Sequence, residues 1–256
     1  MSVFLDKYPY FVRFAHFLVG IQNKCTIFLA TKSYLNRKIN YPLERVGSLY
    51  GGWWIPASND ISTVKSVLLS AGLGFDVTFD EELARRGYFV ICIEPSVESF
   101  NYSLGQLCDY ENVRVINKGL STFVGEQKFY APARENHDSL SLVNLTENPD
   151  LKSSHFNVTS IDQLFNDFTE LNNANFRILK MDIEGGELSI LENLGENFCR
   201  FDFIGVEMDF LSLIPFLKFR RRIEGIRHTR YILKKFEEAG YHLIKNENFN
   251  FFWSKF

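Results

Sequence analysis

Two acids one residue apart, Asp182 and Glu184, stand in "RILKMDIEGGELSILENL" (residues 177–194), where a strand-like apolar run breaks on paired glycines into an amphipathic stretch. Ligands of open α/β sheets bind at the carboxyl ends of the strands, so carboxylates at this junction are placed for chemistry. They could take a proton from a hydroxyl or balance a cationic reactant. On a continuing strand the two would point to opposite faces, but the glycines allow the chain to turn and bring the second round. Glu187, in the first turn of the next helix, meets the helix dipole favourably, which accounts for it without chemistry.

A second constellation lies upstream. "LLSAGLGFDVTFD" puts Gly72 and Gly74 directly after a buried strand, where small residues let the backbone approach a ligand and the next helix offers unpaired amides. A dinucleotide fingerprint needs a third glycine at position 77, which is Val77 here. Glu94 ends the following strand in "ICIEPS", and a carboxylate there accepts hydrogen bonds from the two hydroxyls of a ribose. Pro95 stops that strand, so the acid faces the cleft. A glycine turn followed by an acid at the next strand end serves both NAD and S-adenosylmethionine, so these residues support adenosine recognition and leave the cofactor open.

The elements that must position these groups alternate along the chain. Strand patterns at 66–74, where the strand enters a glycine turn, and at 88–95, 112–117, 176–182 and 201–208 are separated by helix patterns, which predicts a parallel sheet covered on both faces. A polar stretch from 125 to 155 interrupts the rhythm, with β-like pieces at "EQKFYA" and "SLSLV", and is expected as an insertion at the ligand end. Ser160 and Gln163 form a capping-box pattern that opens a helix. Residues 227–240 predict an amphipathic helix closed by Gly240, and the tail a β-hairpin turned at 246–248. The organisation expected is a helical N-terminal extension over 1–50 and one α/β domain over 51–256.

The 256 residues are 46% hydrophobic, enough for a substantial core, and a net charge of −3 gives no footprint of a nucleic-acid binder. Cys25, Cys92, Cys108 and Cys199 form no CxxC pair, so neither a zinc site nor a disulfide framework is indicated and reduced thiols are expected. The apolar N-terminal stretch 11–30 is interrupted by Arg13, His16 and Lys24, unlike a spanning segment, which needs roughly 20 mostly apolar residues. It reads as helix packed on the body or a partner, with membrane-surface contact as the alternative. The setting expected is cytoplasmic, alternatively peripheral to a membrane, and the three N-x-[ST] sequons are read as chance.

"LKMDIEGGE" resembles the fourth-strand signature of the FkbM family of S-adenosylmethionine-dependent methyltransferases. "SAGLGFDVTFDEEL" is similar to that family's glycine turn, "IEPS" to its ribose-binding strand end, "FIGVEMDF" to its fifth strand and "ILKKFEEAGYHL" to its penultimate helix and strand; the likeness runs over about residues 66–251. It implies a class I methyltransferase sheet, Rossmann-like, with seven strands of which one is antiparallel. By the resemblance, Ser70, Gly72, Gly74 and Asp76 would belong to the cofactor turn, Glu94 and Pro95 to the ribose site, Asn117 and Lys118 to the adenine site, and Asp182 would lie near the transferring methyl. Family members methylate hydroxyls, often on sugars.

Methyl transfer to a hydroxyl needs the acceptor in line and a route for its proton. Asp182 is the first candidate for the base, with His228 the second and Glu207 beside them. The family's fifth strand commonly ends Glu-x-His, whereas Glu207-Met-Asp209 stands here, which puts a histidine base at that position in doubt. Asp182, Glu207 and Asp209 could alternatively hold Mg²⁺ through oxygens. Arg222, in the basic stretch 218–230, is a candidate clamp for a nucleotide- or lipid-linked glycan, Trp54 a stacking surface for a sugar, and Glu184 and Asp209 further acceptor contacts; solvated helix face and core packing explain the same residues. The reading is an S-adenosylmethionine-dependent O-methyltransferase acting on a sugar hydroxyl. An NAD-linked oxidoreductase and a noncatalytic Rossmann-like binding module are the alternatives.

Overall fold

A computed structural model describes residues 20–31, 34, 42–57, 65–131, 140–141, 152–212 and 219–255. A helix over 20–31 (α1) comes first, followed by an antiparallel hairpin of β1 (Leu43–Val46) and β2 (Trp53–Pro56). Then come β3 (Ser66–Ala71), α2 (Thr78–Arg85), β4 (Phe89–Ile93), α3 (Val97–Leu107) and β5 (Val113–Ile116). Strands β6 (Gly119–Ser121), β7 (Gly125–Tyr130) and β8 (Ser153–Ser160) form a separate three-stranded sheet that coincides only in part with the insertion expected over 125–155: β6 precedes it and β8 runs beyond it. Helices α4 (Ile161–Asp167) and α5 (Thr169–Asn173), β9 (Phe176–Met181), α6 (Glu187–Glu192), β10 (Phe203–Glu207), α7 (Asp209–Ser212), α8 (Phe219–Glu238), β11 (His242–Glu247) and β12 (Asn250–Ser254) complete the order.

The main sheet has seven strands in the order β11-β12-β10-β9-β3-β4-β5. Pairing is parallel from β5 across to β10, while β12 runs antiparallel to both β10 and β11. One strand is therefore reversed, as expected, and the closing hairpin turns on Asn248 at φ 54°. The chain moves outward through β3, β4 and β5, then returns to place β9 on the other side of β3. That reversal opens a crevice at the carboxyl ends of β3 and β9.

Period-two alternation sorts the strand residues onto two buried faces. Leu69, Ile91, Leu179, Ile204 and Trp253 pack on one, against Leu164, Leu191, Leu233 and Phe236 of the helices. Leu68, Val90, Ile178, Phe203 and Phe252 pack on the other, against Trp53 and Ile55 of the first hairpin and Phe79 and Leu83 of α2. Burial on both sides is why these strands read as unbroken apolar runs. The β1–β2 hairpin straddles the boundary expected at residue 50, and α1 is fastened to α8 through Arg230, which donates to the Leu29 carbonyl at 2.7 Å. Ser160 caps α4, accepting from the Gln163 amide at 3.2 Å. No helix among the described residues is long and apolar enough to cross a membrane.

Candidate active site

A cleft of about 720 Å³ lies at the β3/β9 crevice, bounded by the glycine turn, the ends of β4, β9 and β10, the tip of the first hairpin and the insertion. Among the described residues its lining includes five acids, Asp76, Glu94, Asp182, Glu184 and Glu207, against one cation, Lys180.

Lys180 projects from β9 beneath this cluster. Its ammonium donates to the Gly72 carbonyl, lies 3.5 Å from an Asp182 oxygen and stands 5.2 Å from the Trp53 ring centre. Asp182 is less covered than its partner, with 31% of its side chain exposed against 7%. The strand stops at Met181, and Glu184 at φ 51° with Gly185 at φ 94° turns the chain sharply. Both acids consequently reach the cleft. Ser141, from the insertion, donates to the Glu184 carbonyl at 2.6 Å and helps hold that turn.

Gly72 and Gly74 have different reasons to be glycine. A Cβ on Gly72 would come 1.6 Å from the Asp182 carbonyl, whereas one on Gly74 would meet nothing within 4 Å. Gly72 lets the β3 and β9 ends approach, and Gly74 leaves open space in the cleft. Glu94, 6% exposed, accepts from the amides of Leu73 at 2.9 Å and Gly74 at 3.2 Å, and through its other oxygen from Ser96 at 2.9 Å. A carboxylate offers about four acceptor directions, so one remains for a ligand where two ribose bonds were expected. Burial raises the Glu94 pKa against the pull of those amides and of Lys180.

Glu207 is pushed up to about 8, first by burial and then by the charges of Asp182 and Glu184, with Lys180 opposing. Behind it Glu187 and Asp209 form a carboxyl pair in which both are shifted upward, chiefly by burial. One oxygen of Glu187 accepts from the Gly185 amide at 2.9 Å, so this acid holds the turn as well as the dipole. Asp209 is 6% exposed and not among the cleft-lining residues.

Several expected site residues are used elsewhere. Ser70 is fully buried against Asp80 on the sheet face and does not line the cleft. Asn117 donates to the carbonyls of Glu94 and Pro95 at 2.9 and 3.1 Å; Gly119 and Leu120 form the wall there, with neither Asn117 nor Lys118 among the lining residues. Pro95 does line it. His228 sits outside the cleft, 47% exposed and 3.1 Å from Glu192. Trp54 donates to Glu247 at 2.8 Å with the Lys245 ammonium 3.7 Å over its ring, so its neighbour Trp53 is the tryptophan at the cleft. The Arg222 side chain lies outside the described residues. Among the described residues, no three Asp, Glu, His or Cys side chains, Asp182, Glu207 and Asp209 included, converge as a group that could hold a metal.

Tyr50, Gly51, Leu140 and Lys180 are wall residues that the sequence reading did not assign to the site. Lys180 was visible inside the Lys-x-Asp signature and Tyr50 inside "YGGWWIP"; for Leu140 no local pattern gives a signal.

No curated protein matches the chain. The profile of the methyltransferase FkbM domain matches residues 71–243, from the glycine turn to the penultimate strand and thus well over half of the chain. The crevice, its turn and its acidic strand ends all fall inside that match, and the chain belongs to the FkbM methyltransferase family.

Proposed function

We propose that this methyltransferase uses S-adenosylmethionine and transfers its methyl group to a hydroxyl of a sugar in a glycan or glycoconjugate, on a class I, Rossmann-like methyltransferase domain. The observation that carries the donor is the acidic lining of the cleft: among the described residues, even with Glu207 protonated, the four acids Asp76, Glu94, Asp182 and Glu184 stand against one ammonium, which favours a cationic reactant. Open space at Gly74 and the free acceptor direction on Glu94 suit the amino-acid and ribose parts of such a donor. When bound, the donor supplies an electrophilic methyl on positively charged sulfur.

The chain's own residues do the rest. Glu207, with its pKa near 8, is matched to take the hydroxyl proton as the new carbon–oxygen bond forms. Asp182, fixed by Lys180, supplies negative charge beside it and is the second base candidate. The reacting end of the acceptor is neutral, because an anion there would meet like charge on several sides. Arg222 remains the candidate contact for a distant anionic part, such as a nucleotide or lipid phosphate. Tyr50, 93% exposed at the cleft wall, provides aromatic surface for a sugar ring. A cytoplasmic setting belongs to the same reading.

Calorimetry with S-adenosylhomocysteine and NADH tests the donor: binding of the first alone is expected, and binding of NADH alone overturns the proposal. A screen of activated sugars and glycans with labelled methyl donor then tests the acceptor, with label on a sugar oxygen as the expected product.

A further inference from the structure

Asp76 was expected among the cofactor ligands, yet its carboxylate is fully used by the protein. One oxygen accepts from the Ser48 hydroxyl at 2.6 Å and the Gly51 amide at 3.2 Å; the other accepts from the Thr78 amide at 3.1 Å and hydroxyl at 2.6 Å. These occupy the roughly four acceptor directions of a carboxylate. Burial alone would raise its pKa, but the bonds from Ser48, Thr78 and Gly51 outweigh it and the net shift is downward, as for an ionised acceptor.

Ser48 and Gly51 belong to the tip of the β1–β2 hairpin, more than 20 residues before the glycine turn. The tip is tied at further points: Ser48 donates its amide to the Thr78 hydroxyl at 2.8 Å, and Arg45 donates to the Ser48 and Leu49 carbonyls at 2.5 and 2.9 Å. Gly51 is packed so closely that a Cβ there would lie 2.5 Å from the Asp76 carboxyl carbon. Leu49 and Tyr50 nevertheless stand 97% and 93% exposed, so apolar packing does not hold the tip down. Polar bonds to Asp76 and its neighbours do, and the tip they hold is a wall of the cleft at Tyr50 and Gly51.

We propose that Asp76 is a positioning residue: with Ser48 it latches the hairpin tip onto the glycine turn, and it contributes to methyl-donor binding through that wall, without touching the donor. The proposal rests on the reading of the cleft as a donor site, and Ser48, which does not line the cleft, separates the two ideas.

The test is a double-mutant cycle on the full chain, Ser48→Ala, Asp76→Asn and both together, read by calorimetry with S-adenosylhomocysteine. Each variant is expected to weaken binding by roughly tenfold, and the pair by no more than either alone, because both remove one latch. Weakening by Asp76→Asn with normal binding in Ser48→Ala overturns the proposal, since Asp76 would then act on the donor itself; normal binding in both overturns it too. Chymotrypsin cleavage after Leu49 or Tyr50, followed by intact mass, reads the latch without any ligand. At least about tenfold faster cleavage in both variants is expected, because tip cleavage follows local opening, and equal rates overturn the latch. If the wild-type chain fails to bind S-adenosylhomocysteine, the donor reading falls, and the cleavage rates still decide the latch.

Discussion

At the scale of single residues the site is governed by how many acceptor directions each carboxylate has left. Glu94 spends three on backbone amides, so it organises the turn before it can hold a ligand. Glu94→Ala is therefore expected to lower stability by about 2–4 kcal/mol, from stranded buried amides, as well as to weaken S-adenosylhomocysteine. Thermal unfolding and calorimetry on the same variant measure both, and a ligand effect without a stability effect would contradict the amide bonds. Glu207 carries a different expectation. With its pKa up to about 8, it is mostly protonated at neutral pH in the free enzyme, so kcat/KM should rise with pH through that value. Glu207→Gln should remove that rise and cost roughly 10²-fold or more in turnover, as seen in a rate profile from pH 6 to 9.

Between elements the decisive fact is how closely the β3 and β9 ends approach. Gly72 at φ 78° would place a Cβ 1.6 Å from the Asp182 carbonyl, while Gly74 at φ 56° faces open space. Gly72→Ala should cost about 2–5 kcal/mol by forcing the strands apart. Gly74→Ala should cost only about 1–2 kcal/mol, the left-handed backbone penalty, and Gly74→Val should keep the fold while weakening S-adenosylhomocysteine. Denaturant unfolding of the alanine pair, with calorimetry on Gly74→Val, separates a glycine kept for strand approach from one kept for ligand space. Equal stability losses at the two positions would contradict these roles.

For the whole molecule, the concentration of buried acids sets how stability follows pH. Burial raises the pKa of Glu207 to about 8 from an ordinary 4.5, and it also raises Glu94, Asp80, Glu187 and Asp209. The unfolded chain releases these protons at lower pH than the folded one, so stability falls as pH rises between the two values. Melting temperature is expected to be higher near pH 5.5 than near pH 8.5, and Glu207→Gln should flatten the slope. A melting temperature that climbs over that range would mean the acids are ionised and compensated in the folded chain.

The alternation of apolar strands and amphipathic helices, the Ser160 cap and the closing hairpin were legible in the chain because local periodicity and capping set them. The turn beyond Met181 was legible for the same reason: Gly185 and Gly186 follow an acid pair at a strand end. The sequence alone also marked Gly72, Gly74, Glu94 and Asp182 as cleft residues, by their place at strand ends. What each side chain touches was decided only by tertiary structure, since no local pattern reports how many hydrogen bonds a carboxylate has already made. Asp76 has the residue type and place of a ligand, but a hairpin folded over from 25 or more positions earlier takes one of its oxygens, and Thr78 two residues on takes the other. His228 and Trp54 have suitable chemistry, but helix phase and strand pairing direct them to Glu192 and Glu247. Lys180 gains its central position because β9 inserts beside β3, a non-local pairing that sets the Lys180 ammonium against the Gly72 carbonyl more than 100 residues away.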